Sequence, residues 1–314
     1  MPFKSNSEVK VVYMGTPEIS AKVLSSVLTA GFDVVAVISN EDKEVGRKKQ
    51  LEPTPVKKVA LEAGIPVYQP HRIRLDHSFL NDLSFDVLLT MAYGQIVPKE
   101  VLEAPRIGAI NLHGSLLPSL RGAAPIQRAI MNGEEVTGVT LMKMVEAMDA
   151  GEMYDKMKVK ISPEDNYTSL AEKISSCASS LIVKDLLPYA NGKLPGQAQD
   201  ESKVTYAKKI LPEDERLPLS LPISSLLSYI RGLSETPGGY FLLEGKKLKV
   251  YKASLSPLPL HGELGEIVKC SKGVFVQANG GILSLDEVQL EGKKRMDGRS
   301  FSNGASSLLG KVLS

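Results

Sequence analysis

Between positions 110 and 128 the chain reads INLHGSLLPSLRGAAPIQR, an apolar run that ends on an amide and an imidazole, Asn111 and His113. Two positions apart on a strand, both side chains leave the same face. Gly114 then allows close approach of backbone or ligand, and SLLP breaks the strand into a turn. An amide and an imidazole at a sheet's carboxyl edge suit acyl transfer. The amide can hydrogen-bond a carbonyl oxygen, and the imidazole can stabilise a tetrahedral oxyanion or move a proton. Taken alone, a strand-end Asn in a turn and a satisfied core His explain the same residues, so both readings stand at this point.

Asp149, within MVEAMDAGE, follows an alternating strand pattern at 139–144 and precedes Ala150-Gly151. A carboxylate there could orient His113 and handle the proton of a leaving nitrogen; an Asx-type turn residue is the ordinary alternative. The segment 41–58 gathers Arg47, Lys48, Lys49, Lys57 and Lys58 around Pro53 and Pro55. A long basic loop beside a sheet's carboxyl edge could meet phosphates, although a charge run is ordinarily a solvated surface.

The elements that would position these residues alternate between strand and helix. Apolar or β-branched runs at 11–14, 33–39, 86–92 and 107–113 read as strands, and 17–30 has helical spacing closed by Gly31. Thr54 and Pro55 supply an N-cap and a first-turn proline for a helix ending at Gly64, and 125–132 reads as a helix stopped by Gly133. Strands joined by helices imply a mostly parallel sheet covered on both faces, with ligands beyond the carboxyl ends of its strands. MGTPEIS after the first strand carries one glycine where a dinucleotide fingerprint needs three. A long amphipathic helix at 168–187 closes this half, and the polar Gly- and Pro-containing run NGKLPGQAQ follows it. Beyond Ile210 the texture changes to a helix at 224–233 and short strands at 240–243, 248–252, 266–270, 274–278 and 282–288, the pattern of a small antiparallel barrel.

At 314 residues the chain has room for two domains, and its 43% hydrophobic and 24% charged content is that of a soluble globular protein. No apolar run approaches the ~20 residues of a transmembrane helix, and 1–10 resembles neither a signal nor a transit peptide, which points to the cytoplasm. Cys177 and Cys270 read as buried thiols, and the four histidines form no ligand cluster, so no metal is expected. A net charge of +2 leaves any RNA contact to local patches.

SLLPSLRGAAPIQ, the Asn111/His113 pair and the Asp149 turn together resemble the formyltransferases that use 10-formyltetrahydrofolate. The Asn-x-His-x-Ser-x-Leu-Pro element is specific to that superfamily. MGTPEIS, GRKKQLEPTPVKK, MAYGQIVP and VTYAKKI extend the likeness over essentially the whole chain and single out members acting on methionyl initiator tRNA. The resemblance implies a Rossmann-like α/β catalytic domain over 1–190, a linker over 191–209, and an antiparallel, OB-like, tRNA-binding barrel over 210–314. Asn111, His113 and Asp149 match the family's catalytic trio. Ser115, Leu116, Leu117 and Pro118 match its folate-contacting turn, and Tyr93, Gly94, Gln95 and Ile96 its pterin pocket. Arg47, with Lys48 and Lys49 beside it, matches the loop that engages the tRNA acceptor end. The implied enzyme takes the formyl group from 10-formyltetrahydrofolate to the methionyl amine, for initiation of translation; a monomer is the default expectation.

The chain departs from the family at Ile19, where an aromatic residue is frequent, at Glu152, where Asp is frequent, and at TPGGY, where a Trp-containing turn is usual. Three other readings compete. A formyltransferase for amino sugar nucleotides shares the catalytic elements but has no need of a long cationic arm. The shorter folate enzyme of purine synthesis has no use for the residues beyond 209. A non-catalytic RNA-binding module would have no affinity for folate.

Overall fold

The runs VVAVI at 34–38 and VLL at 87–89 are apolar at consecutive positions, which suits strands buried on both faces. The computed structural model describes residues 1–45, 50–303 and 306–314. The elements of its first part are β1 (Lys10–Gly15), α1 (Glu18–Thr29), β2 (Asp33–Ile38), β3 (Lys43–Val45), β4 (Gln50–Glu52), α2 (Pro55–Glu62), β5 (Val67–Tyr68), β6 (Val87–Met91), α3 (Lys99–Leu102), β7 (Gly108–His113), α4 (Pro125–Met131), β8 (Val136–Lys143), β9 (Met153–Lys160) and α5 (Tyr167–Ala190). The described chain divides into two units. One comprises Met1–Pro125, Val136–Lys160 and Ala171–Ala207; the other comprises Ile126–Glu135, Ile161–Leu170 and Lys208–Ser314.

The first unit holds a seven-stranded sheet in the order β5-β2-β1-β6-β7-β8-β9. From β5 to β7 the neighbours are parallel, and β8 and β9 add antiparallel strands at one edge. The expected Rossmann-like, mostly parallel sheet is therefore present. Its strand order reverses between β1 and β6, the kind of position where such sheets open a crevice at their carboxyl ends. One face is filled by Val12, Met14, Ala36, Ile38, Leu88 and Ala109, together with Phe85 and Tyr93. Thr54 Oγ1 accepts from Lys57 N at 3.3 Å and caps α2, whose first residue is a proline. Gly31 and Gly64, at φ +83° and +69°, end α1 and α2 in the left-handed conformation that glycine adopts freely. The hairpin of β3 and β4 and the edge strand β9 are additions to the sequence-based reading.

In the second unit, α6 (Ile223–Leu233) is followed by β10 (Gly239–Leu243), β11 (Lys246–Ser256), β12 (Ile267–Cys270), β13 (Val274–Ala278), β14 (Gly281–Leu290), β15 (Met296–Asp297) and α7 (Gly298–Asn303). The strands pair antiparallel in the order β10-β11-β14-β13-β12, with β15 beside β14. Alternation is plain in β10 and β13, where every second residue is buried. Leu226, Ile230 and Leu233, spaced as one face of α6, join Phe241, Val250, Ile267, Val276 and Leu285 in the core. The last residues tie the two ends of this strand order together. Ser314 exchanges backbone hydrogen bonds with Leu242 of β10 at 2.7 and 3.0 Å. Leu313 N donates to Gly265 O and Ile267 N to Lys311 O, both at 2.8 Å, beside β12. The arrangement is compatible with the expected OB-like barrel.

Both cysteines are buried thiols, as the sequence implied. Among the described residues no helix is long and apolar enough to cross a membrane.

Candidate active site

β7 ends on Asn111, Leu112 and His113, between β6 and β8. Register sets Asn111 beside Thr90 of β6 and Met142 of β8, and His113 beside Thr140. Leu112 points into the core at 2% exposure, which sends its two polar neighbours to the opposite face. Asn111 is half-buried, and its side-chain amide has no hydrogen-bond partner among the described residues. His113 is buried, and its Nε2 lies 2.9 Å from the Leu120 carbonyl oxygen. A carbonyl only accepts, so Nε2 carries the proton and Nδ1 is left to exchange one. Nδ1 is 3.6 Å from Asp149 Oδ1.

The Asp149 carboxylate is only 17% exposed, and its second oxygen accepts from Gly122 N at 2.8 Å. Both residues that flank the imidazole adopt left-handed backbone, Leu120 at φ 60° and Asp149 at φ 49°. Each such residue costs on the order of 1–2 kcal/mol, which the surrounding bonds must offset. Gly151 helps to fix the same turn: a Cβ there would lie 2.0 Å from the Lys143 carbonyl oxygen. The fold therefore brings an amide, an imidazole and a carboxylate from two separate segments to one sheet edge.

The turn after β7 is braced by Thr140. Its hydroxyl donates to Ser115 O at 2.7 Å and accepts from Leu117 N at 3.0 Å. Ser115 is buried with its hydroxyl donated to Ser119 O at 2.6 Å, and Leu117 is buried with Met142 and Met153. Leu116 and Pro118 are partly exposed. In the loop after β6, Asn40 Nδ2 donates to Tyr93 O at 2.6 Å, and Gln95 Nε2 donates to Asn40 Oδ1 at 2.7 Å. The Tyr93 phenol is buried without a partner, and burial pushes it up to about 12. Gly94 and Ile96 are exposed, Ile96 at 72%. Arg47, Lys48 and Lys49 lie outside the described residues; on either side of them, β3 and β4 pair antiparallel. Among the described residues no group of three or more His, Cys, Asp or Glu could hold a metal ion.

The sequence matches the formyl transferase family over residues 9–186 and the formyl transferase C-terminal domain over 209–306. The chain belongs to the formyl transferase family. This formyl transferase is 42% identical over 306 residues to a methionyl-tRNA formyltransferase of Listeria innocua, covering 96% of this chain and 98% of that one. It is 41% identical over 308 residues to the methionyl-tRNA formyltransferase of Bacillus subtilis, with 97% of each chain covered. Among solved structures, the fold resembles an N-formyltransferase from Helicobacter canadensis in complex with folinic acid and dTDP-3-aminofucose (TM-score 0.66, 18% identity, 88% of this chain and 98% of that one). It also resembles HypX from Aquifex aeolicus in complex with tetrahydrofolic acid (TM-score 0.66, 15% identity, 96% of this chain and 48% of that one).

Some residues that shape this sheet edge escape a reading of the sequence. Leu120 and Gly122 hold His113 and Asp149 through backbone groups, Thr140 braces the turn after β7 through its hydroxyl, and nothing in their types announces it. Gln199 and Thr205 lie far along the chain; only the VTYAKKI likeness draws the eye to Thr205.

Proposed function

We propose that this enzyme transfers the formyl group of 10-formyltetrahydrofolate to the amino group of methionyl initiator tRNA. It works as a cytoplasmic monomer and supplies N-formylmethionyl-tRNA for translation initiation. The observation that carries the chemistry is the His113 Nδ1–Asp149 Oδ1 approach of 3.6 Å on the sheet edge that also presents the unpaired Asn111 amide. The choice of acceptor rests on the full-length likeness to methionyl-tRNA formyltransferases.

In this reading the neutral methionyl amine attacks the formyl carbon, and a C–N bond forms as charge gathers on the formyl oxygen. Asn111 donates to that oxygen, and His113 stabilises it through Nδ1 when protonated. Collapse breaks the bond to the folate nitrogen. The proton lost by the amine passes, by way of Asp149 and a bound water, to that departing nitrogen. Holding both substrates in register supplies much of the acceleration. The loop Tyr93, Gly94, Gln95 and Ile96 offers an unpaired buried hydroxyl and an exposed apolar side chain, features that suit a flat heterocycle with polar edges. Ser115, Leu116, Leu117 and Pro118 form the neighbouring wall. Arg47, Lys48 and Lys49 meet phosphates of the acceptor stem, and the barrel over 210–314 meets the tRNA body.

The test is incubation with 10-formyltetrahydrofolate and either methionyl initiator tRNA or an amino sugar nucleotide, scoring which amine is formylated. Formylation of the sugar alone would overturn the choice of acceptor. Replacing Arg47, Lys48 and Lys49 by neutral residues should raise the apparent KM for charged tRNA and reduce the slope of its log–log salt dependence by about one per lost phosphate contact. An unchanged salt slope would remove the loop from the interface.

A further inference from the structure

The segment that follows α5 grips both left-handed residues of the site. Gln199 Nε2 donates to the carbonyl oxygens of Asp149 and Gly151 at 2.7 and 2.8 Å. Its Oε1 accepts from Arg121 Nε and Nη2 at 3.0 and 2.9 Å. Every donor and acceptor direction of that amide is used, and the guanidinium on one side fixes which end is oxygen. Arg121 is 4% exposed and is closed from the other side by Glu201, at 2.7 Å from Nη2. Its next residue, Gly122, supplies the N–H that holds the Asp149 carboxylate. Asp149 is thus held at its backbone by Gln199 and at its side chain by Gly122.

His113 is held by the same segment through Leu120. Thr205 Oγ1 accepts from Leu120 N at 2.9 Å, and the carbonyl of Leu120 in turn receives the His113 Nε2 proton. Thr205 O accepts from Arg121 N at 2.9 Å, and Ala207 N donates to Arg121 O at 2.7 Å, so the two strands of chain run side by side.

We infer that Gln199 and Thr205 are positioning residues for formyl transfer: Gln199 sets the Asp149 turn and Thr205 sets the carbonyl that fixes the His113 tautomer. The inference rests on the catalytic reading of His113 and Asp149 given above. Both act through Asp149 and His113. Their effect is to hold the two proton-carrying groups in register.

The experiment compares Thr205→Val, which keeps the shape and removes the accepting hydroxyl, with Thr205→Ser, which restores it, and with Gln199→Glu, which turns a carboxylate toward two carbonyl oxygens. Formylation is measured with saturating donor and charged tRNA across pH. A displacement of the pair by about 1 Å costs on the order of 10²-fold, so kcat of Thr205→Val and Gln199→Glu should fall by roughly ten- to a hundredfold. The KM for tRNA should stay within about threefold and the pH–kcat profile should move. Thr205→Ser should recover most of the lost rate. Folded variants with unchanged kcat and pH profile, or a Thr205→Ser enzyme as slow as Thr205→Val, would overturn the inference. If Gln199→Glu does not fold, the Thr205 pair decides. Wild-type enzyme is the reference: its failure to formylate would count against the acceptor assignment, not against the positioning of the pair.

Discussion

Asp149→Asn changes one atom of the site and leaves the backbone restraint in place. Asparagine keeps one oxygen to accept from Gly122 N, now 2.8 Å from the carboxylate, and Gln199 still bonds the main-chain carbonyl. What is lost is the negative charge 3.6 Å from His113 Nδ1 and the ability to pass a proton. Removing a proton-handling group costs about 10²–10⁴ in rate, which corresponds to about 2.7–5.4 kcal/mol of barrier. A single hydrogen bond weakened from charged to neutral costs only about 1 kcal/mol of stability. The variant should therefore fold, bind folate and turn over slowly. The assay is single-turnover formylation of methionyl initiator tRNA with enzyme in excess, alongside thermal unfolding and folate titration. Turnover within about fivefold of wild type, well short of the expected 10², would refute the role given to the carboxylate. So would a rate loss matched by loss of folate binding.

Two further predictions concern stability. Leu313 is 1% exposed within the second core, so Leu313→Ala should destabilise that unit by about 2–5 kcal/mol; calorimetry showing a change below about 1 kcal/mol would disprove its contribution. Asp185 is raised from 3.8 to about 6, first by burial and then by its hydrogen bond with Asp155, while Lys184 opposes both. Because the folded value lies above the unfolded one, the stabilising contribution is complete below pH 3.8 and lost as pH rises through about 6. At about 1.36 kcal/mol per pH unit the effect is at most about 3 kcal/mol. Asp185→Asn should accordingly flatten the rise in stability on going from pH 7 to pH 4.5, measured by urea unfolding. An unaltered pH dependence would show that Asp185 is not its source.

The chemistry was most legible where a pattern broke. An apolar strand that closes on Asn111 and His113 violates its own burial logic, and the structure ends β7 at that point. The position of Asp149 was readable as the residue that follows an alternating strand, although an Asx-type turn was the ordinary explanation there. Its left-handed φ of 49° was not, since Asp before Ala gives no such signal. β9 escaped because MYDKMKVK is polar on its exposed side, as an edge strand can be. In the turn after β7, a motif cannot say which side chains look inward; Ser115 and Leu117 do, while Leu116 and Pro118 remain partly exposed. Gln199 sits in a run whose Gly, Pro and polar content fits a connector as well as a clamp. Only the distances of 2.7 and 2.8 Å to the Asp149 and Gly151 carbonyls separate those descriptions.

The bonds that Ser314, Leu313 and Lys311 make to Leu242, Gly265 and Ile267 have a consequence for how this protein fails. With those residues in place, the backbone groups they engage at β10 and beside β12 are withheld from other molecules. If residues 311–314 detach, unsatisfied amides and carbonyls open at both places at once, each a template for strand addition by a neighbouring copy. Loss of these contacts would then surface as self-association before it surfaced as lost catalysis.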